Sequence, residues 1–231
     1  MSGFIAIICG LKSEAAAIKA SLEAAGIDAA KARIGVSGAN AARAEEITID
    51  FLGEGAKAVI SAGLCGGLDP ALKSGELVIG ERVVSASGDV ILSDRRLLAA
   101  APASAKQVAI FGSDEIIDSA ATKAALFGRY ASQTVDMESH GAARAAARAG
   151  APFIAIRAVA DGAARALPKA ALGAVTASGG VNVMSVLFEC VRSPQQFEQI
   201  AMLGRESGAA TETLRRDFGD VFRNLLVALD L

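Results

Sequence analysis

Short apolar runs that end in glycine, each followed by a stretch with helical spacing, recur along most of this chain. Residues 4–9, F-I-A-I-I-C, are an unbroken apolar run of β-formers, the pattern of a strand covered on both faces. Gly10 breaks the run, and residues 13–25 have helical spacing with Ser13 as N-cap and Gly26 as the stop. A strand at 32–36 and a helix at 41–52 repeat the cycle across G-V-S-G-A-N. A strand at 58–62 then runs into the glycine corner G-L-C-G-G-L. Residues 75–80 and the alternation through Val83 and Val84 read as strand pieces in a strongly bent sheet. Residues 88–105 are polar and irregular, with a surface helix around 95–101. A strand at 107–111 precedes a helix at 119–130. An alanine-rich helical run opens at Glu138 and closes at Gly150; Pro152 starts the strand 153–159, with Asp161 just past its end. Beyond Leu167 the texture is helical: 181–190, then 195–203 with Ser193 as N-cap and Pro194 at N1, then 211–229.

Alternating strands and helices predict an α/β fold, a three-layer αβα architecture with a mixed, twisted central sheet and extra C-terminal helices. Neither a linker nor an internal repeat divides residues 1–231, which read as a single domain. Phe188, Phe197, Met202, Phe218 and Phe222 fall on core stripes. At 231 residues and 52% hydrophobic content, the chain can bury a sizeable core. A net charge of -2 supplies no basic field for nucleic acid. Cys9, Cys65 and Cys190 lie far apart without C-x-x-C spacing, and one His cannot complete a His-rich site, so no metal and reduced thiols are expected. The N-terminus has no basic segment ahead of its short apolar run, which Lys12 and Glu14 interrupt, so no signal peptide is expected. The apolar region 142–160 contains Arg144, Arg148 and Arg157, which argues against a membrane span. A cytoplasmic location is expected, with peripheral membrane contact left open.

In an open α/β sheet, ligands bind outside the carboxyl ends of the strands. The helix-start acid Glu138 and the strand-end acid Asp161 could therefore face one crevice, although 139–160 separate them. Glycine corners at Gly10, Gly38, Gly63 and Gly66 suit converging backbone N–H groups and an anion. None is G-x-G-x-x-G, which disfavours a dinucleotide. Each residue has a plainer alternative. Glu14 reads equally as a solvated first-turn acid, and Ser113-Asp114-Glu115 as a cap for the helix 119–130. Asp161 reads as the cap of a turn, Glu138 as a partner of Arg144, and Met137 as core. His140, two residues beyond Glu138, points elsewhere and reads as a surface histidine. Arg157, mid-strand, reads as the partner of a buried carboxylate.

V-D-M-E-S at 135–139 followed by I-R-A-V-A-D-G-A at 156–163 resembles the purine nucleoside phosphorylase and methylthioadenosine/S-adenosylhomocysteine nucleosidase superfamily, over most of the chain from Phe4 to Asp161. I-C-G-L-K-S-E-A at 8–15 and D-G-A-A-R-A-L-P at 161–168 further resemble the bacterial hopanoid-associated phosphorylases. The resemblance implies cleavage of the N-glycosidic bond of an adenine nucleoside. No cofactor is implied, inorganic phosphate is the candidate co-substrate, and a homo-oligomer is expected. The narrower resemblance implies adenosylhopane as substrate, with adenine released and a ribosyl- or phosphoribosyl-hopanoid left behind. In that case some of the aromatic residues would line an apolar channel.

By the same resemblance Asp161 is the general acid toward purine N7, and Glu138, as an anion, grips the ribose hydroxyls. Met137 packs on the sugar, and the loop carrying Ser113 and Ile116 packs on the base. Glu14 activates water, although a shift of one residue would put Ala15 there. Gly10, Lys12, Gly38, Gly63 and Gly66 surround the phosphate or other nucleophile. Two positions depart from the pattern: Leu64 stands where Ser is usual, leaving Ser61 as the substitute hydroxyl, and Ala160 replaces a frequent Ser. The alternatives are a methylthioadenosine nucleosidase or purine nucleoside phosphorylase and, from another class, a nucleoside-binding protein without turnover.

Overall fold

The computed structural model describes residues 3–167, 179–180 and 197–231. Strands β1 (Phe4–Cys9), β2 (Ala32–Val36) and β3 (Ala56–Gly67) alternate with helices α1 (Lys12–Ala24) and α2 (Ala41–Gly53). Then come β4 (Leu77–Ser85), β5 (Val90–Leu92), α3 (Arg95–Ala100) and β6 (Lys106–Gly112). They are followed by α4 (Ala120–Tyr130), β7 (Thr134–Asp136), α5 (Ser139–Ala149), β8 (Phe153–Asp161) and α6 (Phe197–Ala228). The sheet is mixed and flanked by helices, as the alternating pattern predicts.

Side chains alternate across a strand, so a strand buried on both faces feeds two cores. On β1, Ile5, Ile7 and Cys9 join Ile18 and Leu22 of α1 and Phe218 and Phe222 of α6. Ala6 and Ile8 on the opposite face join Ala44 and Ile47 of α2 and Ala142 and Ala146 of α5. β8 divides the same way, Ile154 and Ile156 against Phe153 and Ala155. That is why both strands read as continuous apolar runs.

β1 pairs in parallel with β2 and β3, and β3 in parallel with β8. β8 runs antiparallel to β4, β4 and β6 are parallel, β6 and β7 are parallel, and β7 returns antiparallel to the end of β3. Strands β3, β8, β4, β6 and β7 therefore close a hydrogen-bonded circuit. β3 is longer than expected and carries the glycines of the G-L-C-G-G-L corner inside the strand. A Cβ on Gly67 would sit 3.1 Å from the Asp161 carbonyl oxygen, so the glycines here serve close strand packing.

Other expectations change. The two pieces at 75–84 form one strand, β4, bent by a register shift between Gly80 and Arg82. The irregular stretch 88–105 contains β5, paired with β4, and β7 was not foreseen; each has three residues, too few for a period to register. Ser13 lies inside α1, whose N-cap is Leu11; the Glu14 carboxylate takes the Leu11 N–H at 2.8 Å. The two helices expected at 195–203 and 211–229 are one 32-residue helix, α6. Its glycines at 204 and 208 meet no neighbour and interrupt the apolar spacing without breaking the helix, which Ala210, Leu214 and Phe218 anchor. The expected helix 181–190, the Ser193-Pro194 cap, Phe188, Cys190 and the Phe197 side chain lie outside the described residues. Among the described residues, no helix is long and apolar enough to cross a membrane.

α1 and α6 meet at Gly219, where a Cβ would lie 2.4 Å from the Ser21 carbonyl oxygen and 2.7 Å from Ala25 Cβ. Replacing Gly219 with Val should cost about 1–3 kcal/mol in urea unfolding, because the helices must part. Unchanged stability would show that the crossing has slack.

Candidate active site

The carboxyl ends of β1, β3 and β8 frame a cavity of about 200 Å³. Glu14, Asp136, Glu138 and Asp161 share its wall with Lys123 and the apolar Leu64, Met137 and Ile116. A larger cavity of about 470 Å³, beside Gly75, Lys106 and α6, contains none of these acids. Its charged side chains are paired, Lys106 with Glu76, Arg216 with Asp217 and Asp220 with Arg223 outside the cavity.

Arg157 organises the smaller site from beneath. It is fully buried in mid-β8, and its Nε donates to Asp136 Oδ2 at 2.6 Å. Its Nη2 donates to Ser61 Oγ at 2.6 Å, Ser139 Oγ at 2.9 Å and Glu138 Oε2 at 3.4 Å. The expected buried carboxylate partner is thus found, chiefly in Asp136, to which the sequence reading gave no role. Asp136 Oδ1 also accepts the Glu138 and Ser139 N–H groups at 3.2 and 2.9 Å, tying down the start of α5. Burial works against its ionisation, but Arg157 and the Ser139 donors outweigh burial and hold its carboxyl below the usual range.

With Asp136 anchoring the helix start, Glu138 makes no capping bond and lines the cavity. Arg144, its candidate partner, instead pairs with Glu45 at 2.6 Å. Burial pushes Glu138 up to about 8; Asp136 and Glu14 add to the effect, while Arg157 opposes it. Burial thus favours the protonated form of Glu138, and its expected role as an anion calls for a partner that draws the proton off.

Glu14 is buried, which overturns its reading as a solvated helix-end acid. Its Oε1 accepts the Leu64 N–H and its Oε2 the Leu11 N–H, each at 2.8 Å. Burial raises its carboxyl, against the pull of these N–H groups and of Arg157. Ala15 packs beside the α1–α6 core, so the one-residue alternative does not face the cavity. Glycine makes room for the acids. A Cβ on Gly10 would lie 2.3 Å from Glu138 Oε1, and one on Gly63 2.8 Å from the Glu14 carboxyl. Gly66 is in the wall, where a Cβ would come within 3.5 Å of Asp161 Oδ1.

The other expected anion-binding groups are not brought to the cavity. The Gly38 N–H is spent on the Gly10 carbonyl at 3.0 Å, and Lys12 is exposed. Ser61 is committed to Arg157 and does not replace the hydroxyl missing at Leu64. Ile116 sits at the rim, 37% exposed. The Ser113 hydroxyl turns into its own loop and donates to the Glu115 carbonyl at 2.7 Å. His140 is buried, not superficial, and its Nε2 contacts Asp114 at 3.1 Å. Only Gly112 leaves room for its ring.

Asp161 ends β8 and is buried on the cavity wall. Burial raises its carboxyl, against the pull of Lys123. Lys123 Nζ is in close contact with Asp161 Oδ2 and donates to the Gly162 carbonyl at 3.0 Å. The sequence reading missed Lys123, because a lysine on an amphipathic helix ordinarily faces solvent. Asp136 carried a signal that could have been used, an acid shortly before a helix start facing an unpaired mid-strand arginine.

A family model described as the phosphorylase superfamily matches residues 4–192. Among solved structures, a Neisseria meningitidis 5′-methylthioadenosine/S-adenosylhomocysteine nucleosidase in complex with methylthio-immucillin-A superposes with a TM-score of 0.71 at 19% identity, covering 96% of this chain and 99% of that one. The Colwellia psychrerythraea nucleosidase in complex with adenine gives a TM-score of 0.70 at 19% identity, with 97% and 96% covered. Helicobacter pylori futalosine hydrolase gives 0.66 at 18% identity, with 93% and 96% covered. No curated protein sequence matches the chain.

The sign of the pH dependence follows from Glu138. Its folded pKa stands above its ordinary 4.5, so its contribution to stability is present below that value and lost as pH rises toward about 8. Stability of the ligand-free protein should therefore fall across this window by up to about 1.4 kcal/mol per pH unit. Glu138→Gln should flatten the slope and melt higher than the wild type at pH 8. Equal slopes in thermal melts of the two proteins would refute the assignment.

Proposed function

The chain belongs to the phosphorylase superfamily, and from that premise we propose that it is an enzyme hydrolysing the N-glycosidic bond of an adenine nucleoside. The observation that carries this reading is the shared wall: Glu14, Glu138 and Asp161 line one cavity sized for a small molecule. The purine assignment draws support from the structural relatives, which are held with adenine and with a methylthio-immucillin.

Cleaving a ribosyl C–N bond leaves positive charge on the sugar and electrons on the base. Asp161 delivers a proton to N7, so that adenine leaves neutral as the C1′–N9 bond breaks. Glu138 accepts hydrogen bonds from the ribose hydroxyls and, on giving up its own proton to solvent, sets a negative charge beside the cationic sugar. Met137 packs on the ribose and excludes water from that side. Glu14 takes a proton from the water that adds to C1′. Its carboxylate is held in position by the Leu11 and Leu64 N–H groups.

Water fits this wall better than phosphate does. Glu14, Asp136, Glu138, Asp161 and Glu115 line the cavity, and Lys123, the cation among them, is occupied by Asp161. Among the described residues, the wall has no unpaired cation left to balance a phosphate dianion. For the 5′ substituent we propose the apolar tail of adenosylhopane, leaving ribosylhopane. Support comes from the I-C-G-L-K-S-E-A and D-G-A-A-R-A-L-P segments and from Leu11, Ile117 and Leu167 on the wall.

Adenine release should not change between phosphate-free and phosphate-containing buffer; a requirement for phosphate would overturn hydrolysis. Asp161→Asn should lower kcat by roughly 10²–10⁴ while nucleoside binding by calorimetry persists. Adenosylhopane should have a higher kcat/KM than 5′-methylthioadenosine, and the reverse order would remove the lipid-tail assignment.

A further inference from the structure

Resting on the nucleosidase reading, we propose that Lys123 is the proton reservoir behind Asp161: the proton that reaches adenine N7 is held between Lys123 Nζ and Asp161 Oδ2. Lys123 is the buried residue of α4, 1% exposed, on a helix whose other positions are at least partly open. Burying an ammonium costs several kcal/mol unless it is paired, and an apolar side chain would fill the space without that cost. The lysine is nevertheless there, on the cavity wall, aimed at the acid that the reaction needs. Among the described residues, its Nζ has two acceptors, Asp161 Oδ2 and the Gly162 carbonyl oxygen, for three donor positions.

Among the described residues, the other groups around the pair are poorer proton sources. Ala160 precedes the acid and has no proton to give. Arg165, on the segment after β8, is bound to Glu206 of α6 at 2.6 Å. Burial raises the thiol of Cys65 on β3, away from proton exchange near neutrality. Glu115, from the loop before α4, lies on the same wall but is exposed, and its backbone N–H and carbonyl are tied to the Ser113 hydroxyl; Lys123, not Glu115, bonds to Asp161.

The step balances as follows. The shared proton passes from Lys123 Nζ through Asp161 to N7 while the C1′–N9 electron pair moves onto adenine, leaving a neutral Lys123 amine beside the Asp161 carboxylate and a cationic sugar. Neutral N7-protonated adenine leaves. Water adds to C1′, and the proton it sheds, through Glu14 and solvent, restores the lysine. Lys123 thus acts through Asp161 and touches neither sugar nor nucleophile. Its effect should appear only with leaving groups that need a proton.

The test compares adenine release from 5′-methylthioadenosine with p-nitrophenolate release from p-nitrophenyl β-D-ribofuranoside, whose leaving group departs as an anion. In Lys123→Met and Lys123→Gln the ratio of the two rates should fall roughly 100-fold. Lys123→Arg, which keeps the cation but holds its proton too tightly to pass it on, should show a similar fall. Melting temperatures identify any variant that fails to fold, and the remaining two then carry the comparison. If Lys123 only neutralised Asp161, removing it would raise adenine release; that result, an unchanged ratio, or recovery of the ratio by Arg would overturn the proposal. A wild type that releases p-nitrophenolate but no adenine would instead sink the nucleosidase reading itself.

Discussion

A cation buried in mid-strand sets the terms for the site. Arg157 lies in the middle of β8, and Asp136, Glu138, Ser61 and Ser139 all bond to it. An unpaired guanidinium at that depth would cost several kcal/mol, so the strand, the start of α5 and the floor of the cavity must keep their relative positions. The carboxyls around it are also too many for one positive charge. Asp136 takes the pairing and ionises, while Glu138 is left raised. Unequal sharing of one cation thus separates a structural acid from one still free to exchange a proton with ligand.

Close backbone packing is the second condition. Gly10 and Gly63 allow strand backbone to run against the Glu138 and Glu14 carboxyls, and Gly66 and Gly67 let β3 lie against the end of β8. A methyl group at Gly10 or Gly63 would occupy space now held by a carboxyl oxygen. The glycines therefore shape the cavity by being small, and the N–H groups of the corner at Gly38 are used to close the end of β1. The wall that results is acidic and apolar, suited to a neutral nucleoside and to a sugar that becomes cationic.

The three acids facing the cavity sit in different surroundings. Glu14 is held by two backbone N–H groups, Glu138 leans on Arg157, and Asp161 is joined to a lysine from a separate helix. Such differences allow chemically similar carboxyls to act as base, ligand and acid within one pocket. The ion pair of Asp161 also ties α4 to the end of β8, so the side of the cavity assigned to the base is fixed by an electrostatic contact that spans the fold.

The strand and helix periods were legible in the sequence because burial on two faces writes a local pattern: β1, β2 and the limits of α5 were read within a residue. The motif pair around Glu138 and Asp161 was legible too, since both residues lie at element ends where ligands gather. Partnership was not. Which acid would claim Arg157, whether Glu14 or Ala15 turned inward, and that His140 and Lys123 were buried all depended on contacts between residues distant along the chain. Short elements such as β5 and β7 owe their existence to a neighbouring strand, and the continuity of α6 through its glycines owes much to packing on α1 and β8. Sequence by itself determined where polar groups could stand. Only the tertiary structure decided which of them lost water, and desolvation is what sets their charge.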